Sequence, residues 1–404
     1  MRSIALAPLL VGTVAACGAN ASAPQGARDA GASSPDGSGA PEGTSEAGGV
    51  APDASGGSDA GITEGGATAD AGGVTPGQPI TATPGQWTFV SFADAFCADG
   101  STTGIGVNPS TASSRVLIYF EGGGACWDAL TCYTLMTAAN FTTGYTAATF
   151  MTESTDATYL ALPGGFFDRT AASNPFKDYS WVYVPYCTGD LHAGDNVVSY
   201  PADDGGAHTT HFAGAANFRA FLARIVATFP NPDRVYLAGS AEGAMGSVIH
   251  WGLTQQAFGS ARVDVVDDCG VFMPADVPIQ DYATQQAAWN LAAALPAGCT
   301  GCSTSLAALY PYWAQTLAGH ELALVSYSED TVLPSYYGIS ASQFRSGLDE
   351  VLAQDVVPTA TFKSFTDDTS GHVLWFSPTT AVSQVTLAEF LTEMTSDTGW
   401  ATVP

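Results

Sequence analysis

Six short β-rich runs, each followed at once by a polar or glycine-rich cluster, limit the folds open to this chain more than any other feature. The runs are SRVLIYF (114–120), YSWVYVPYC (179–187), RVYLA (234–238), ARVDVV (261–266), LALVSYS (322–328) and TATFKSF (359–365). Several of them are almost continuously apolar, as expected of strands that are buried on both faces of a mostly parallel sheet.

Amphipathic patterns lie between these runs. One apolar stripe at three- and four-residue spacing predicts a helix, and it consists of Phe218, Phe221, Leu222, Ile225 and Phe229. The run AMGSVIHWGLTQQAF (244–258) predicts a second helical stretch. Strands and helices that alternate in this way indicate an α/β fold, a mostly parallel sheet with helices on both faces and no second domain. Ligands of such sheets bind beyond the carboxyl ends of the strands, where the polar clusters lie.

The first 79 residues have a different character. Residues 1–17 (MRSIALAPLLVGTVAAC) combine a basic start, a short apolar stretch and small residues, which predicts a secretion signal. The ending VAAC resembles a lipobox, in which Cys17 is lipidated, and an ordinary signal peptide cut nearby is the alternative. Residues 18–79 have no aromatic residue and no lysine, so we expect a disordered linker before one folded domain over 80–404.

The charge balance argues against several classes of partner. The chain has 11 Lys and Arg against 38 Asp and Glu, a net charge of −27. Such a surface repels phosphate backbones, so we expect no nucleic-acid partner. No segment after residue 80 is long and apolar enough for a transmembrane helix. We therefore expect contact with a membrane only through a lipid on Cys17, and a location at the cell envelope or surface.

Cysteine usage also indicates export. Apart from Cys17, seven of the eight cysteines remain, an odd number for an oxidising compartment. The expected disulfides are Cys97–Cys187, Cys126–Cys132 and Cys299–Cys302. Cys269 is then left free. The CTGC motif (299–302) has no second CxxC and no nearby histidine pair, so a loop staple is favoured over a zinc or redox site, and we predict no metal and no cofactor.

The clusters at the strand ends supply, in chain order, a glycine-rich loop, a sharp bend (YLAGSAEGAMGS, 236–247), an acid and a histidine. An order of nucleophile position, Asp and His is that of the α/β-hydrolase arrangement. Ester hydrolysis needs a nucleophile on a strained turn and a histidine that accepts its proton. It also needs a carboxylate that orients this histidine and backbone N–H groups that hold the oxyanion.

The segments VLIYFEGGGACWDALTC, VYVPYCTGD, YLAGSAEGAMGS and DDCGVF resemble the pectin acetylesterase/Notum family of carboxylesterases, over about residues 85–375. The resemblance implies an α/β-hydrolase-like domain, and the family's disulfides carry over to the pairs Cys97–Cys187 and Cys126–Cys132. It also implies that the loop Gly122–Gly124, through Gly123 and Gly124, forms the oxyanion hole together with the N–H of Glu242. A tight turn without that role is the alternative for the glycine run.

The same resemblance implies the acid and the base. Asp330, in LVSYSEDTVLP, stands where the family has its triad aspartate, and His372, in SGHVLW, stands in the final loop. The competing residues are Glu329, Asp367 and Asp368 for the acid, and His250 and His320 for the base. We expect Asp190 and His192, in CTGDLHAGD, either to shape the mouth of the pocket or to be structural.

The position of the attacking residue holds Ala241, because the family elbow GSSAGG reads GSAEGA here (239–244). Three interpretations are open: a serine-to-alanine variant of an active esterase, a natural relative that has lost catalysis and binds acylated ligands, or attack by another group. Ser240 would start on the wrong side of the turn, and Cys269 would need a lowered pKa. Glu242 would oppose the developing negative charge if its carboxylate pointed inward.

Together these features predict a carboxylic ester hydrolase that acts, without a metal, on an acetyl or longer acyl ester of a small molecule or polysaccharide. The loss of the nucleophile from comparable triads costs about six orders of magnitude in turnover. The alternative function is therefore a catalytically inactive family member that binds acylated glycan or lipid ligands at the cell surface. A metallohydrolase comes third, because no cluster with metal-ligand spacing is visible in the sequence.

Overall fold

The computed structural model describes residues 74–202 and 205–404. The predicted signal peptide with Cys17, and the predicted linker up to residue 73, lie outside the described residues. None of the helices in the described part of the chain is long and apolar enough to cross a membrane.

The described residues form twelve strands and nine α-helices. The strands are β1 (Thr88–Phe96), β2 (Thr102–Asn108), β3 (Val116–Phe120), β4 (Ser180–Val184), β5 (Asn196–Pro201), β6 (Ala207–Phe212), β7 (Arg234–Ser240), β8 (Arg262–Asp268), β9 (Leu322–Asp330), β10 (Phe362–Gly371), β11 (Ala381–Val382) and β12 (Val385–Thr386). The helices are α1 (Ala147–Glu153), α2 (Gly214–Thr228), α3 (Glu242–Ile249), α4 (Trp251–Phe258), α5 (Tyr282–Trp289), α6 (Leu309–Thr316), α7 (Leu333–Tyr337), α8 (Ala341–Val351) and α9 (Leu387–Ser396).

Eight of these strands form one sheet in the order β1-β2-β4-β3-β7-β8-β9-β10. The six strands from β4 to β10 in this order run parallel, and β1 and β2 add an antiparallel pair at one edge. All six β-rich runs of the sequence are strands of this sheet, which confirms the predicted mostly parallel α/β fold. Two further pairs, β5 with β6 and β11 with β12, stand outside the sheet.

The central strand β3 is apolar throughout because both faces of the sheet are covered. In β3, the side chains of Val116 and Ile118 join one apolar cluster, and those of Leu117 and Tyr119 join another. Helices α2, α3 and α4 contribute to the first cluster, and α9 contributes to the second. Successive residues of a strand point to opposite faces, so a strand with two buried faces needs apolar residues at every position.

The helical predictions differ in their outcome. The apolar stripe from Phe218 lies on α2, as predicted. The predicted stretch 244–258 is not one helix but two, α3 and α4, which are separated at His250 (φ −86°, ψ 4°). The side chain of His250 is buried and donates a hydrogen bond from Nε2 to the carbonyl oxygen of His192 at 2.7 Å. This buried contact with another segment accompanies the break, and the apolar pattern alone did not reveal it.

The disulfides follow the predicted pairing. Cα–Cα distances are 5.0 Å for Cys97–Cys187, 5.0 Å for Cys126–Cys132 and 5.5 Å for Cys299–Cys302. Cys269 is the free and buried cysteine among the described residues. The bridge Cys126–Cys132 lies immediately after the glycine-rich loop and so ties down one side of the candidate site.

Candidate active site

The carboxyl ends of β3, β7, β8, β9 and β10 meet at one edge of the sheet, because these strands run parallel. This is the edge where open α/β sheets bind their ligands. In the register of β9 and β10, Gly371 lies opposite Asp330. His372 follows Gly371 directly, so the strand pairing itself brings the predicted histidine beside the predicted acid.

Asp330 and His372 form a hydrogen-bonded pair at this edge. The distance from Nδ1 of His372 to Oδ2 of Asp330 is 2.8 Å. The other carboxylate oxygen, Oδ1, accepts hydrogen bonds from the backbone N–H groups of Val332 and Leu333, both at 2.8 Å. An ionised carboxylate can only accept, so Nδ1 carries the proton and Nε2 of the neutral ring is left as an acceptor. The Asp330 side chain is fully buried, whereas that of His372 is 16% exposed.

The pKa of His372 is raised above its ordinary value. Burial acts to lower it, but the hydrogen bond and negative charge of Asp330, together with the charges of Glu242 and Asp268, outweigh burial. Opposite charges nearby favour the protonated ring. The arrangement therefore gives a histidine that can accept and hold a proton, as a general base must.

The other candidate acids do not reach His372. Glu329 is exposed at the end of β9. Oδ1 of Asp367 accepts a hydrogen bond from the hydroxyl of Thr369 at 2.8 Å. Asp368 is exposed and forms an ion pair with Arg345 at 2.6 Å.

The other candidate bases point elsewhere. His320 precedes β9 and donates from Nδ1 to the carbonyl oxygen of Val263 at 2.8 Å, near the start of β8. His250 is bonded to the backbone of His192, and burial lowers its pKa to about 4. Neither ring therefore faces the acid at the carboxyl edge of the sheet.

Asp190 and His192 are both buried, with their polar atoms bonded to nearby groups. Asp190 accepts hydrogen bonds from the hydroxyl of Thr188 at 2.6 Å and the N–H of Gly214 at 2.9 Å. Nε2 of His192 donates to the carbonyl oxygen of Glu121 at 2.8 Å, and burial lowers the pKa of this ring to about 3. Of the two roles expected for this pair, the contacts favour the structural one, in which His192 holds the backbone of Glu121, just before the glycine-rich loop.

Ala241 lies on a strained bend between β7 and α3, with φ 52° and ψ −121°. A non-glycine residue with positive φ is uncommon and marks the kind of turn that presents a nucleophile. The glycines on either side make the bend possible. A Cβ on Gly239 would lie 2.3 Å from backbone atoms of Gly243, and one on Gly243 would lie 2.1 Å from the carbonyl oxygen of Phe120. The side chain carried to this point is a methyl group, which cannot attack an ester.

The carboxylate of Glu242 points inward, onto the glycine-rich loop. Its Oε2 accepts hydrogen bonds from the N–H groups of Gly123 at 3.0 Å and Gly124 at 2.7 Å. Glu242 is only 2% exposed. Two of the three N–H groups predicted to hold an oxyanion, those of Gly123 and Gly124, therefore already hold a carboxylate oxygen of the same chain.

Ser240, one of the two alternative nucleophiles, is buried in a hydrogen-bonded network with Asp268, a residue that sequence reasoning did not single out. The hydroxyl of Ser240 donates to Oδ2 of Asp268 at 2.7 Å and accepts from the hydroxyl of Tyr119 at 2.9 Å. The same carboxylate accepts the N–H groups of Leu374 at 2.8 Å and Trp375 at 3.0 Å, just after His372. Asp268 thus ties the elbow to the histidine loop. The sequence signal that could have indicated a role for Asp268 is its position as the last residue of a strand, in DDCG.

Cys269, the other alternative nucleophile, lies close to the pair but is fully buried. Donor atoms of Cys269, Asp330 and His372 lie within 4.8 Å of one another. Burial, with the charges of Asp268 and Asp330, raises the pKa of the thiol well above its ordinary value. A protonated, inaccessible thiol is a poor nucleophile. Because Nδ1 of His372 and Oδ2 of Asp330 already share a hydrogen bond, this cluster has the character of an acid–base pair.

Comparison with known families places this geometry in context. The family model described as Pectinacetylesterase matches residues 81–317, more than half of the chain. The chain belongs to the pectinacetylesterase family. The part of the chain that this family model matches includes the glycine-rich loop and the elbow and ends before Asp330 and His372.

Individual relatives agree with the family assignment. The palmitoleoyl-protein carboxylesterase NOTUM of Schmidtea mediterranea is 33% identical over 112 residues, an alignment that spans 27% of this chain and 20% of the relative's length. The crystal structure of the Wnt deacylase Notum from Drosophila superposes with a TM-score of 0.58 at 18% identity, and the match covers 80% of this chain and 96% of that one. The second comparison shows a shared fold, and thereby confirms the predicted α/β-hydrolase-like architecture.

Proposed function

We propose that this chain carries a carboxylic ester hydrolase site of the Ser–His–Asp type, in which position 241 is the nucleophile position, Asp330 the acid and His372 the base. The observation that carries the proposal is the 2.8 Å hydrogen bond between His372 and an Asp330 carboxylate that is fixed by two backbone N–H groups. This pair shares an edge of the sheet with an elbow of positive φ. The substrate class is an acetyl or longer acyl ester of a small molecule or polysaccharide.

Each residue would have a separate role in that reaction. A nucleophile at position 241 would give its proton to Nε2 of His372, while the imidazolium that forms is stabilised by Asp330. N–H groups of the glycine-rich loop and of Glu242 would stabilise the oxyanion of the tetrahedral intermediate. His372 would then return the proton to the leaving alcohol. The chain as it stands lacks the first participant, because the Ala241 methyl forms no acyl-enzyme.

A second function is favoured by two observations at the elbow, the Ala241 methyl and the inward carboxylate of Glu242. Both oppose turnover and leave the hydrogen-bonded pair of Asp330 and His372 in place. The second candidate is therefore a catalytically silent member of the family that binds acylated glycan or lipid ligands. For either function we propose export across the inner membrane and a lipid anchor at Cys17, since the sequence has the features of a lipoprotein signal.

The test is the hydrolysis of p-nitrophenyl acetate by the unsubstituted chain, by Ala241→Ser and by Ala241→Ser/His372→Ala. A missing nucleophile costs about 10⁶ in turnover, and an impaired oxyanion hole costs about 10²–10³. Ala241→Ser should therefore gain at least ~10³-fold over the unsubstituted chain, even with Glu242 in place. The gain should vanish without His372.

Activity of the unsubstituted chain that equals Ala241→Ser would show that position 241 is not the nucleophile position. No gain in any folded variant with serine at 241, whatever stands at 242, would contradict the hydrolase site. It would leave the binding function as the better account.

A further inference from the structure

The contacts of Glu242 have the geometry of an occupied oxyanion hole. A single oxygen, Oε2, accepts both N–H groups of the loop, at 2.7 Å from Gly124 and 3.0 Å from Gly123. Donors that stabilise an oxyanion lie about 2.7–3.1 Å from the charged oxygen. The carboxylate oxygen of Glu242 therefore stands at the point where two of the predicted donors would hold the oxygen of a substrate carbonyl.

The glycine-rich loop is too constrained to shift and bind both Oε2 of Glu242 and the carbonyl oxygen of a substrate. The N–H of Ala139 donates to the carbonyl oxygen of Gly123 at 2.7 Å, and Gly124 pairs with Ala138 as an isolated bridge. Gly124 has φ +82°, and a Cβ on it would lie 1.9 Å from the carbonyl oxygen of Thr137. Because the loop is packed this closely on residues 137–139, an incoming carbonyl oxygen must displace the side chain of Glu242.

The charges around the site also oppose the binding of an ester oxygen at the oxyanion hole. Glu242, Asp330 and Asp268 all act to raise the pKa of His372, so three carboxylates lie near the reacting position. Over residues 74–202 and 205–404, none of the ion pairs brings a lysine or arginine to any of these three. The negative charge that develops on an ester oxygen would therefore form beside a like charge, in a buried setting where such repulsion is strong.

We propose that Glu242 is the specificity-determining residue of this site: its carboxylate is a tethered anion that fills the oxyanion hole and excludes the carbonyl oxygen of an ester. This inference rests on the proposed function for its activity readout and has a separate binding readout. It means that two of the three departures from the family elbow, Ala241 and Glu242, oppose ester hydrolysis, and the third is Ala244. Restoring the serine alone leaves the oxyanion hole occupied.

The activity test compares Ala241→Ser with Ala241→Ser/Glu242→Ala on p-nitrophenyl acetate. Alanine follows the serine in the family elbow that this sequence resembles, so the double variant recreates that pattern over residues 239–243. We expect kcat/KM of the double variant to exceed that of Ala241→Ser by about 10²–10³-fold. The matched control is Ala241→Ser/Glu393→Ala, which removes a half-buried glutamate of α9 outside the site and should stay within about twofold of Ala241→Ser. Equal activity of Ala241→Ser and the double variant would overturn the inference.

The binding test uses acetate as a small carboxylate probe and the backbone N–H signals of Gly123 and Gly124 in NMR spectra. In Glu242→Ala the oxyanion hole is vacated, so acetate should shift both signals in a saturable way. In the unsubstituted chain the same acetate concentrations should leave them in place. Signals that respond equally in both proteins, or in neither, would contradict the inference.

The two readouts separate the two proposals. Saturable acetate binding by Glu242→Ala, with no hydrolysis by any serine variant, would sustain the role of Glu242 and refute the hydrolase site. Strong hydrolysis by Ala241→Ser that Glu242→Ala does not improve would sustain the hydrolase site and refute the role of Glu242. Circular dichroism and thermal unfolding of each variant verify that it is folded.

Discussion

At the ends of β9 and β10 the acid–base half of the site is fully connected, whereas at the end of β7 the nucleophile half lacks its reactive group. Asp330 has a bonding partner for each of its carboxylate oxygens, and one of these partners is His372. Across the site, Ala241 offers a methyl group, and Glu242 occupies the N–H groups that an ester would use. The acid–base half thus has the hydrogen bonds that the proposed catalysis needs, whereas the nucleophile half has two side chains that would oppose this catalysis.

This difference teaches that the framework of a site and its chemistry are determined by different residues. Strand register brings His372 to Asp330, and glycine packing creates the bend at Ala241. Neither depends on a hydroxyl at position 241. A fold can therefore keep its site geometry when a substitution removes the reactive atom.

The largest expected effect tests whether the nucleophile half is held by backbone packing. A Cβ on Gly243 would lie 2.1 Å from the carbonyl oxygen of Phe120 and 2.7 Å from that of Glu121. Gly243→Ala should therefore lower the free energy of unfolding by about 3 kcal/mol, as measured by urea denaturation.

The control for this change is Gly164→Ala, where φ is +79° and nothing lies within 4 Å of the added Cβ. It should cost only the backbone strain, about 1–2 kcal/mol. Equal losses in the two variants would mean that close packing does not hold the elbow.

The next effect tests whether Asp268 joins the two halves. In Asp268→Asn, one carboxylate oxygen becomes an NH₂ group and faces donors from Ser240, Leu374 or Trp375. A buried donor that has lost its acceptor costs about 1–3 kcal/mol. We expect a loss of about 2 kcal/mol in the free energy of unfolding.

Asp367→Asn serves as the comparison, since this partly exposed carboxylate accepts from Thr369 beside it in the chain. Its effect should stay within about 0.5 kcal/mol. A change of that small size in Asp268→Asn as well would remove Asp268 as the link between the halves.

The smallest effect tests the electrostatic contact between the halves. Asp330 contributes most to raising the pKa of His372, and Glu242 contributes less. Removing either charge, by Asp330→Asn or Glu242→Gln, should lower this pKa, with the larger fall for Asp330→Asn. The measurement is an NMR titration of the His372 ring. A fall in Glu242→Gln as large as that in Asp330→Asn would contradict this ranking of the two carboxylates.

The same raised pKa predicts a sign for the dependence of stability on pH. Protonated His372 stabilises the folded state fully below its unfolded pKa of about 6.5. That contribution is lost as the pH rises through the higher folded pKa.

Much of the fold could be predicted from the sequence because its signals are local. The apolar runs predicted every strand from β3 onward that forms the parallel part of the sheet, and the stripe from Phe218 predicted α2. Strands β1 and β2 were not singled out, because most residues of β1 are exposed or half-buried and because β2, although buried, contains two threonines and two glycines that give a weak apolar signal. The break at His250 depends on a contact with His192, which is distant in sequence.

In the candidate site, too, contacts between residues that are distant in sequence could not be predicted. The chain order of elbow, acid and histidine predicted which side chains would meet, since parallel strands end at one edge. The inward direction of Glu242 could not be predicted, because its partners Gly123 and Gly124 lie 119 and 118 residues away. The role of Asp268 could not be predicted for the same reason, since the N–H groups that its carboxylate binds are 106 and 107 residues further along the chain.

The packing of Gly239 and Gly243 has a consequence for how such a protein changes over time. Because the turn owes its shape to these neighbours, we expect that exchanging Ala241 for another small side chain costs little folding stability. Under the proposed function, activity would then depend on substitutions at two adjacent codons. An engineer could use this chain as a ready scaffold and install serine or cysteine on a turn that already exists.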